Sequence, residues 1–333
     1  MTPLEIRSAR VPCGGRVAFG VAGSGPGFLF TPGHVCLSDF RNTPWVQDVW
    51  LEMARTHTFV TYDHLGGGLS SREPRDYSIE GLCAELDAVI DGMGCEQVVL
   101  FTCSTDTPSV IHFAATRPER VSALIIANGW PRGAPPTQQA IARNRTTMDD
   151  WDVASHAIAR LFMNWSATEA ERVREFVKNA TTLEIYLEYG RSTRRHDASA
   201  DLEFVEAPTL VLYTPNLYWP IEVSQEMVDR VPDARLQLID AASSFRPLME
   251  STQRFLLSLE PARSGHATSE GMLSAREMEV LAHIARGESN SAIAAQLTLS
   301  PRTIERHAQN IYTKLGVHNR VEASRWALEH GMH

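Results

Sequence analysis

The chain has 333 residues, 43% of them apolar and 21% charged, with a formal net charge of −9. That length exceeds one average domain, so a large domain plus a smaller one is expected. The acidic balance excludes a molecule that binds polyanions over its whole surface; any nucleic-acid binding must come from a local patch. The five cysteines, Cys13, Cys36, Cys83, Cys95 and Cys103, form no close pair and no metal-type spacing. That is the pattern of reduced thiols in a cytosolic protein that holds no metal. The start, MTPLEIRSARVP, has no apolar targeting segment, and no run of about 18 apolar residues occurs. A soluble, cytoplasmic protein with no membrane partner and no cofactor is expected.

In chain order, short apolar runs read as strands at Arg16–Val21, Phe28–Thr31, Thr58–Tyr62, Val98–Cys103, Ala123–Ala127, Thr209–Tyr213 and Leu236–Ile239. Amphipathic helices such as Ile79–Met93 and Val223–Val231 fall between several of them. This alternation predicts a doubly wound, mostly parallel α/β sheet covered on both faces. Residues from about 135 to 200 break the pattern. They are helical in character, carry Trp151, Trp165, Tyr186 and Tyr189, and read as an all-helical cap over the C-terminal edge of the sheet. The polar, Pro/Gly-bearing stretch from 259 to 272 reads as a linker between a domain of 1–258 and one of 273–333.

The last segment is purely helical. Ser274 with Glu277 makes a capping box, and Met278, Leu281, Ile284 and Ala285 form one helical face that Gly287 ends. A short helix Ser291–Leu297, the turn Thr298-Leu299-Ser300 and Pro301 at a favoured first helical position follow. The next helix places Ile304, Ala308, Ile311 and Leu315 on its inner face. Its outer face presents Arg302, Thr303, Arg306, Gln309, Asn310, Thr313 and Lys314, donors suited to phosphates and base edges. Asn319, with Glu322 three residues on, opens a last helix. Two helices joined by a tight turn inside a small four-helix unit make a helix-turn-helix.

With LSAREMEVL, Ser289-Asn290 before Ile293-Ala294, and LSPRTIERHAQNIYTKLGV, the segment from Leu273 to about Glu329 closely resembles the LuxR/GerE family of DNA-binding domains. The resemblance implies a recognition helix over 301–315 in the major groove of a DNA operator. Arg302, Thr303, Arg306 and Asn310 would face bases or nearby phosphates, Lys314 the backbone, and His307 would be packing. The last helix, about 320–330, would serve dimerisation. The segment holds seven Lys/Arg against six Asp/Glu, so affinity is expected from a homodimer on two half-sites, with marked salt dependence.

The larger region resembles an α/β hydrolase. VAGSGPGFLFTPGHV reads as two strands and the oxyanion loop, TFVTYDHLGGGLSS as a D-x-x-G-x-G-x-S strand and loop, and EQVVLFTCSTDTPSVIHFAA as the nucleophile elbow with its helix. APTLVLYTPNLYWPIEVSQEMVDRVPDARLQLIDAAS reads as the strands that carry acid and histidine. Such hydrolases need an elbow serine, a carboxylate after a later strand and a histidine near the end. Ser104 stands at the elbow, but Thr102 and Asp106 replace its small flanking residues, an arrangement expected to be crowded and strained. Residues 214–218 hold no Asp or Glu, and 240–245 hold no His. His34 in the oxyanion loop could approach Ser104; His196 could reach it only by an unusual path.

A serine without a base is a poor nucleophile, so the domain reads as an inactive hydrolase whose pocket between sheet and cap binds a small, mostly apolar or aromatic molecule. Candidate ligand contacts are His34, Val35, Ser104, Thr105, Trp130, Tyr186, Trp219 and Phe245. Asp63 and the glycines at 66–68 read as turn structure, and Cys103 as an inert thiol. Two other readings stay open: an esterase-like enzyme tethered to DNA, using Ser104 with a non-standard base, and a regulator whose hydrolase domain is only a dimerisation body.

Overall fold

The computed structural model describes residues 4–31, 33, 37, 51–133, 152, 155, 171, 174, 175, 178, 180–215, 220–239, 246–264, 275–297, 301–315, 317 and 319–329. The chain divides into two compact units, Met1–Phe255 and Leu256–His333.

The larger unit is built on one eight-stranded sheet of order β1-β2-β4-β3-β5-β6-β7-β8. The strands are β1 (Glu5–Arg10), β2 (Arg16–Ala22), β3 (Gly27–Phe30), β4 (Thr58–Tyr62), β5 (Val98–Cys103), β6 (Val121–Ala127), β7 (Thr209–Tyr213) and β8 (Ala234–Leu238). Only the β1–β2 and β2–β4 pairs are antiparallel; the rest of the sheet is parallel. The inner strands are continuous apolar runs, VVLFTC in β5 and VSALIIA in β6, as strands buried on both faces must be. The added edge strand β1, EIRSAR, is almost wholly exposed, so it has neither an apolar run nor a buried alternating face to betray it.

Helices α1 (Ile79–Met93) and α2 (Thr107–Thr116) cover the sheet beside the elbow. The Ser78 hydroxyl caps α1 by accepting from Gly81 N at 3.0 Å, and Gly94 closes it in the left-handed conformation (φ 70°). From the cap region, α3 (Leu183–Thr193) is described, and most of 134–180 lies outside the described residues. Helix α3 is tied to the loop that follows β4. Arg75 pairs with Glu188, the Ser192 hydroxyl donates to Tyr77 O at 2.6 Å, and the Tyr77 and Tyr189 rings meet edge to face. Helix α4 (Ile221–Arg230) follows in chain order, and α5 (Arg246–Ser264) spans the boundary between the two units at Phe255 and Leu256. Helix α5 runs into the stretch expected as linker, whose residues from 265 on lie outside the described ones.

The smaller unit contains α6 (Ala275–Ala285), α7 (Asn290–Leu297), α8 (Pro301–Leu315) and α9 (Arg320–Glu329). Val280, Leu281, Ile284, Ile293, Ala294, Ile304, Ala308, Ile311, Ala323 and Ala327 form its core. Gly287 (φ 78°) ends α6 with Gly287 N donating to Ile284 O. Asn319 and Glu322 cap each other at the start of α9, with Glu322 N donating to Asn319 Oδ1 at 3.0 Å. The capping partner Ser274 of α6 lies outside the described residues. Among the described residues, no helix is long and apolar enough to cross a membrane.

The stretch Asp63-His64-Leu65-Gly66-Gly67-Gly68 turns the chain after β4. The Asp63 carboxylate accepts from Leu37 N (2.9 Å) and Leu69 N (2.7 Å), and Gly68 packs against it at φ 45°. Gly68→Ala sets a Cβ against that carboxylate and adds about 1–2 kcal/mol of left-handed backbone strain. The urea midpoint of the larger unit should fall; an unchanged midpoint would show that the loop gives way.

Candidate functional site

Strand β5 ends at Cys103, and the chain turns through a 3-10 segment, Ser104–Asp106, into α2. Ser104 sits at φ 57°, one of two non-glycine residues with positive φ among those described. A non-glycine residue held there is strained, and such strain persists where the surrounding structure fixes it. The crowding expected from Thr102 and Asp106 does not fall on those residues. Thr102 is fully buried and receives the Thr31 hydroxyl at 3.0 Å, while Asp106 has ordinary helical backbone angles. The other positive-φ residue, Asn128, lies at the end of β6. It binds Thr214 at the end of β7 through Thr214 N to its Oδ1 (2.8 Å) and its Nδ2 to Thr214 Oγ1 (3.3 Å).

Behind the serine lies a buried polar chain. His64 Nδ1 meets Glu85 Oε2 at 2.5 Å and His64 Nε2 meets Asp106 Oδ2 at 3.3 Å. Glu85 also accepts from Leu65 N at 3.1 Å. The Asp106 carboxylate further receives Gly33 N on Oδ2 at 2.9 Å and the Tyr189 hydroxyl on Oδ1. Glu85 and Asp106 are 0% and 1% exposed, so the two carboxylates are out of water and need the imidazolium between them. Burial alone would lower the pKa of His64, but Asp106 and Glu85 overcome it and push it up to about 10. Burial raises the Asp106 carboxyl; the His64 charge and the hydrogen bonds from His64, Tyr189 and Gly33 outweigh it and hold it below its usual value. The Tyr189 hydroxyl is pushed well up by burial and by Asp106, so it keeps its proton and donates.

The hydroxyls of Ser104 and Thr107 are buried and have no hydrogen-bond partner among the described residues, while the Thr105 hydroxyl lies against that of Tyr189. His64 thus spends both ring nitrogens on carboxylates, and no base reaches Ser104 Oγ among the described residues. His196 does not supply one: its Nε2 bonds Tyr77 O at 2.9 Å, and burial lowers its pKa. Burial and Asp106 push the Cys103 thiol up to about 12, which disfavours its reactive thiolate form. No cluster of three His, Cys, Asp or Glu among the described residues is arranged to hold a metal ion.

The family described as alpha/beta hydrolase fold matches residues 46–229. The chain belongs to the α/β-hydrolase fold family. The family described as bacterial regulatory proteins, luxR family, matches residues 271–327, so this hydrolase-fold protein ends in a luxR-type helix-turn-helix. The putative carbamate hydrolase RutD of Pseudomonas savastanoi is 24% identical over 206 residues, 59% of this chain and 79% of that protein. The Fimbriae Z protein of Salmonella typhimurium is 39% identical over 95 residues, 28% of this chain and 43% of that protein. Among solved structures, a bromoperoxidase from Bacillus anthracis aligns with a TM-score of 0.65 at 15% identity, covering 77% of this chain and 100% of its own. An esterase from Exiguobacterium antarcticum aligns at 0.64 and 15% identity, covering 75% and 97%. These structures share the fold. The protein is a luxR-type DNA-binding regulator carrying a hydrolase-fold domain.

Of the residues expected to line a ligand site in this hydrolase-fold domain, Ser104 and Thr105 stand together at the elbow. Trp130 is buried just beyond β6, and Tyr186 is half-buried on α3. Tyr189, expected as cap core, is the α3 side chain that hydrogen-bonds at the elbow. His34, Val35, Trp219 and Phe245 lie outside the described residues, as do the side chains of Arg302, Thr303, Arg306, Asn310 and Lys314; the helix that carries the latter five is α8. Sequence reasoning missed His64 and Glu85. The available signal was Glu85 itself, a carboxylate at the buried face of α1 with Leu82, Leu86 and Val89.

Folding raises the pKa of His64, so its contribution is fully present below about pH 6.5, the unfolded value, and is lost as pH climbs toward about 10. The depressed Asp106 contributes above its usual pKa near 4, and that part is lost as pH falls through the folded value. The larger unit should therefore lose stability between pH 6.5 and 10, and His64→Gln should flatten that slope; an equal slope in both proteins contradicts the assignment. Glu85→Ala, which leaves His64 Nδ1 and Leu65 N buried without their partner, should cost about 1–3 kcal/mol per stranded donor in denaturant titration. Ser104→Gly, which relieves the positive φ and loses no bond, should be neutral or stabilising. A costly Ser104→Gly would show that the hydroxyl has a structural partner.

Proposed function

We propose that the hydrolase-fold domain binds a small, mostly apolar or aromatic molecule without hydrolysing it, and that binding sets the DNA affinity of the C-terminal domain. The observation that carries this reading is the elbow. Its serine is strained and has no hydrogen-bond partner among the described residues, while the histidine behind it is locked between two buried carboxylates. The sequence offers no acid after β7 at 214–218 and no histidine after β8 at 240–245. Partnerless hydroxyls at Ser104 and Thr107 are costly when buried, and a bound polar atom would satisfy them. Joined to a DNA-binding domain, a binding site without turnover is a sensor. Trp130 and Tyr186, with His34, Val35, Trp219 and Phe245, are the further ligand contacts in this reading.

The DNA contacts in this reading come from Arg302, Thr303, Arg306 and Asn310 on α8, with Lys314 toward the backbone. Helix α9 leaves Val321 79% and Leu328 49% exposed, seven residues apart on one helical face, which supports pairing of two copies. The regulator then acts as a homodimer on a two-part operator in the cytoplasm. A ligand can act only by binding one arrangement of the protein better than another.

The test is a melting-temperature screen of the full chain against aromatic acids, amides, lactones and esters, followed by operator binding with and without each stabilising compound. The reading expects a compound that stabilises the protein, is recovered unchanged and alters operator affinity at least about fivefold, within the usual range of allosteric coupling. A stabilising compound that is consumed restores the esterase; one that leaves operator affinity untouched removes the sensor. Arg306→Ala should abolish operator binding while ligand stabilisation persists. Unchanged operator affinity would overturn the assignment of Arg306.

A further inference from the structure

The elbow holds an arrangement that its serine does not explain. Gly33 N–H, the His64 imidazole and the Tyr189 hydroxyl converge on one carboxylate, supplying three donors from three distant parts of the chain. Converging donors in a buried place are what holds an anion, and here the anion is the protein's own Asp106 side chain, two residues beyond Ser104. The second carboxylate, Glu85, lies on the far ring nitrogen of His64. The Asp106 carboxylate, held in its charged form by its donors, stands behind the partnerless hydroxyls, with Glu85 as a second carboxyl group beyond the ring. An anionic group brought to Ser104 and Thr105 would meet that charge at low dielectric with the nearby donors already taken. An uncharged group with a hydrogen-bond acceptor would meet hydroxyls that lack a partner.

We propose that Asp106 fixes the charge class of the ligand: its carboxylate fills an anion seat beside Ser104, so the elbow accepts an uncharged molecule and refuses an anionic one. This deepens the sensor reading and rests on it for the ligand's role, while the seat itself can be tested without any ligand. Acetate is the Asp106 side chain cut at its Cα. Asp106→Gly leaves a hole of that shape facing Gly33 N–H, His64 and Tyr189, and acetate should refill it.

The experiment uses the full chain in acetate, acetamide and chloride at matched ionic strength. Asp106→Gly should melt lower than wild type in chloride and rise saturably with acetate, the folded-to-unfolded ratio increasing about a hundredfold at a hundredfold excess over Kd. Acetamide should do nothing, and wild type should show no acetate response beyond that of chloride. Should Asp106→Gly fail to fold in chloride, folding regained in acetate but not in acetamide supports the seat, and failure in both counts against it. Acetate stabilisation of wild type equal to that of the variant overturns the proposal. In parallel, wild type is screened with benzoate against benzamide and phenylacetate against phenylacetamide. Neither acid should stabilise it, and stabilisation by either acid overturns the charge assignment. A sensor ligand found without an acetate response would remove the seat and leave the sensor standing; an acetate response with a blank ligand screen would do the reverse.

Discussion

One protonated imidazole holds the centre of this molecule. His64 lies between Glu85 of α1 and Asp106 of the elbow, and Asp106 in turn takes Tyr189 of α3 and the backbone of the loop after β3. An unpaired carboxylate buried in that place would cost more than packing could return. The loop after β4, the helix that covers the sheet, the elbow and a cap helix are therefore coupled through a single side chain. The aromatic rings around it, Tyr62 edge to face and Tyr189 tilted against His64, keep water away and strengthen those charges.

That arrangement supports the proposed reading, in which a hydrolase fold keeps its elbow without the chemistry. An elbow serine needs a neutral base at its hydroxyl. The histidine nearest in the network is charged and has both nitrogens engaged, and the side chain that engages it, Asp106, stands where the elbow motif of the fold has a small residue. The strain at Ser104 and the partnerless hydroxyls around it remain. In an enzyme, such features serve a transition state; in a regulator they are suited to holding a ligand whose binding energy is passed to another domain.

The fold was legible in the sequence because its inner strands are uninterrupted apolar runs and its helices carry their own caps. The elbow strand Val98–Cys103, the helix Ile79–Met93 and the helix Pro301–Leu315 lie where the pattern put them. Strand β1 was not legible, since an exposed edge strand of Arg, Ser and Glu buries no face that would set a period. At the site, Ser104 and the anomaly of Asp106 could be read from local spacing. The partners of Asp106 could not, because His64 and Tyr189 are 42 and 83 residues away and only the sheet topology brings them together. Tyr189 looked like core, and it is buried as core; its hydroxyl carries the functional information.

The proposed role of Ser104 is that of a binding group and not a nucleophile. It is tested most directly by measuring aryl-ester hydrolysis with purified full-length protein and its Ser104→Ala variant side by side. Wild type and variant should release product at the same background rate. A wild-type rate that exceeds the variant's by tenfold or more would contradict it and return the domain to catalysis.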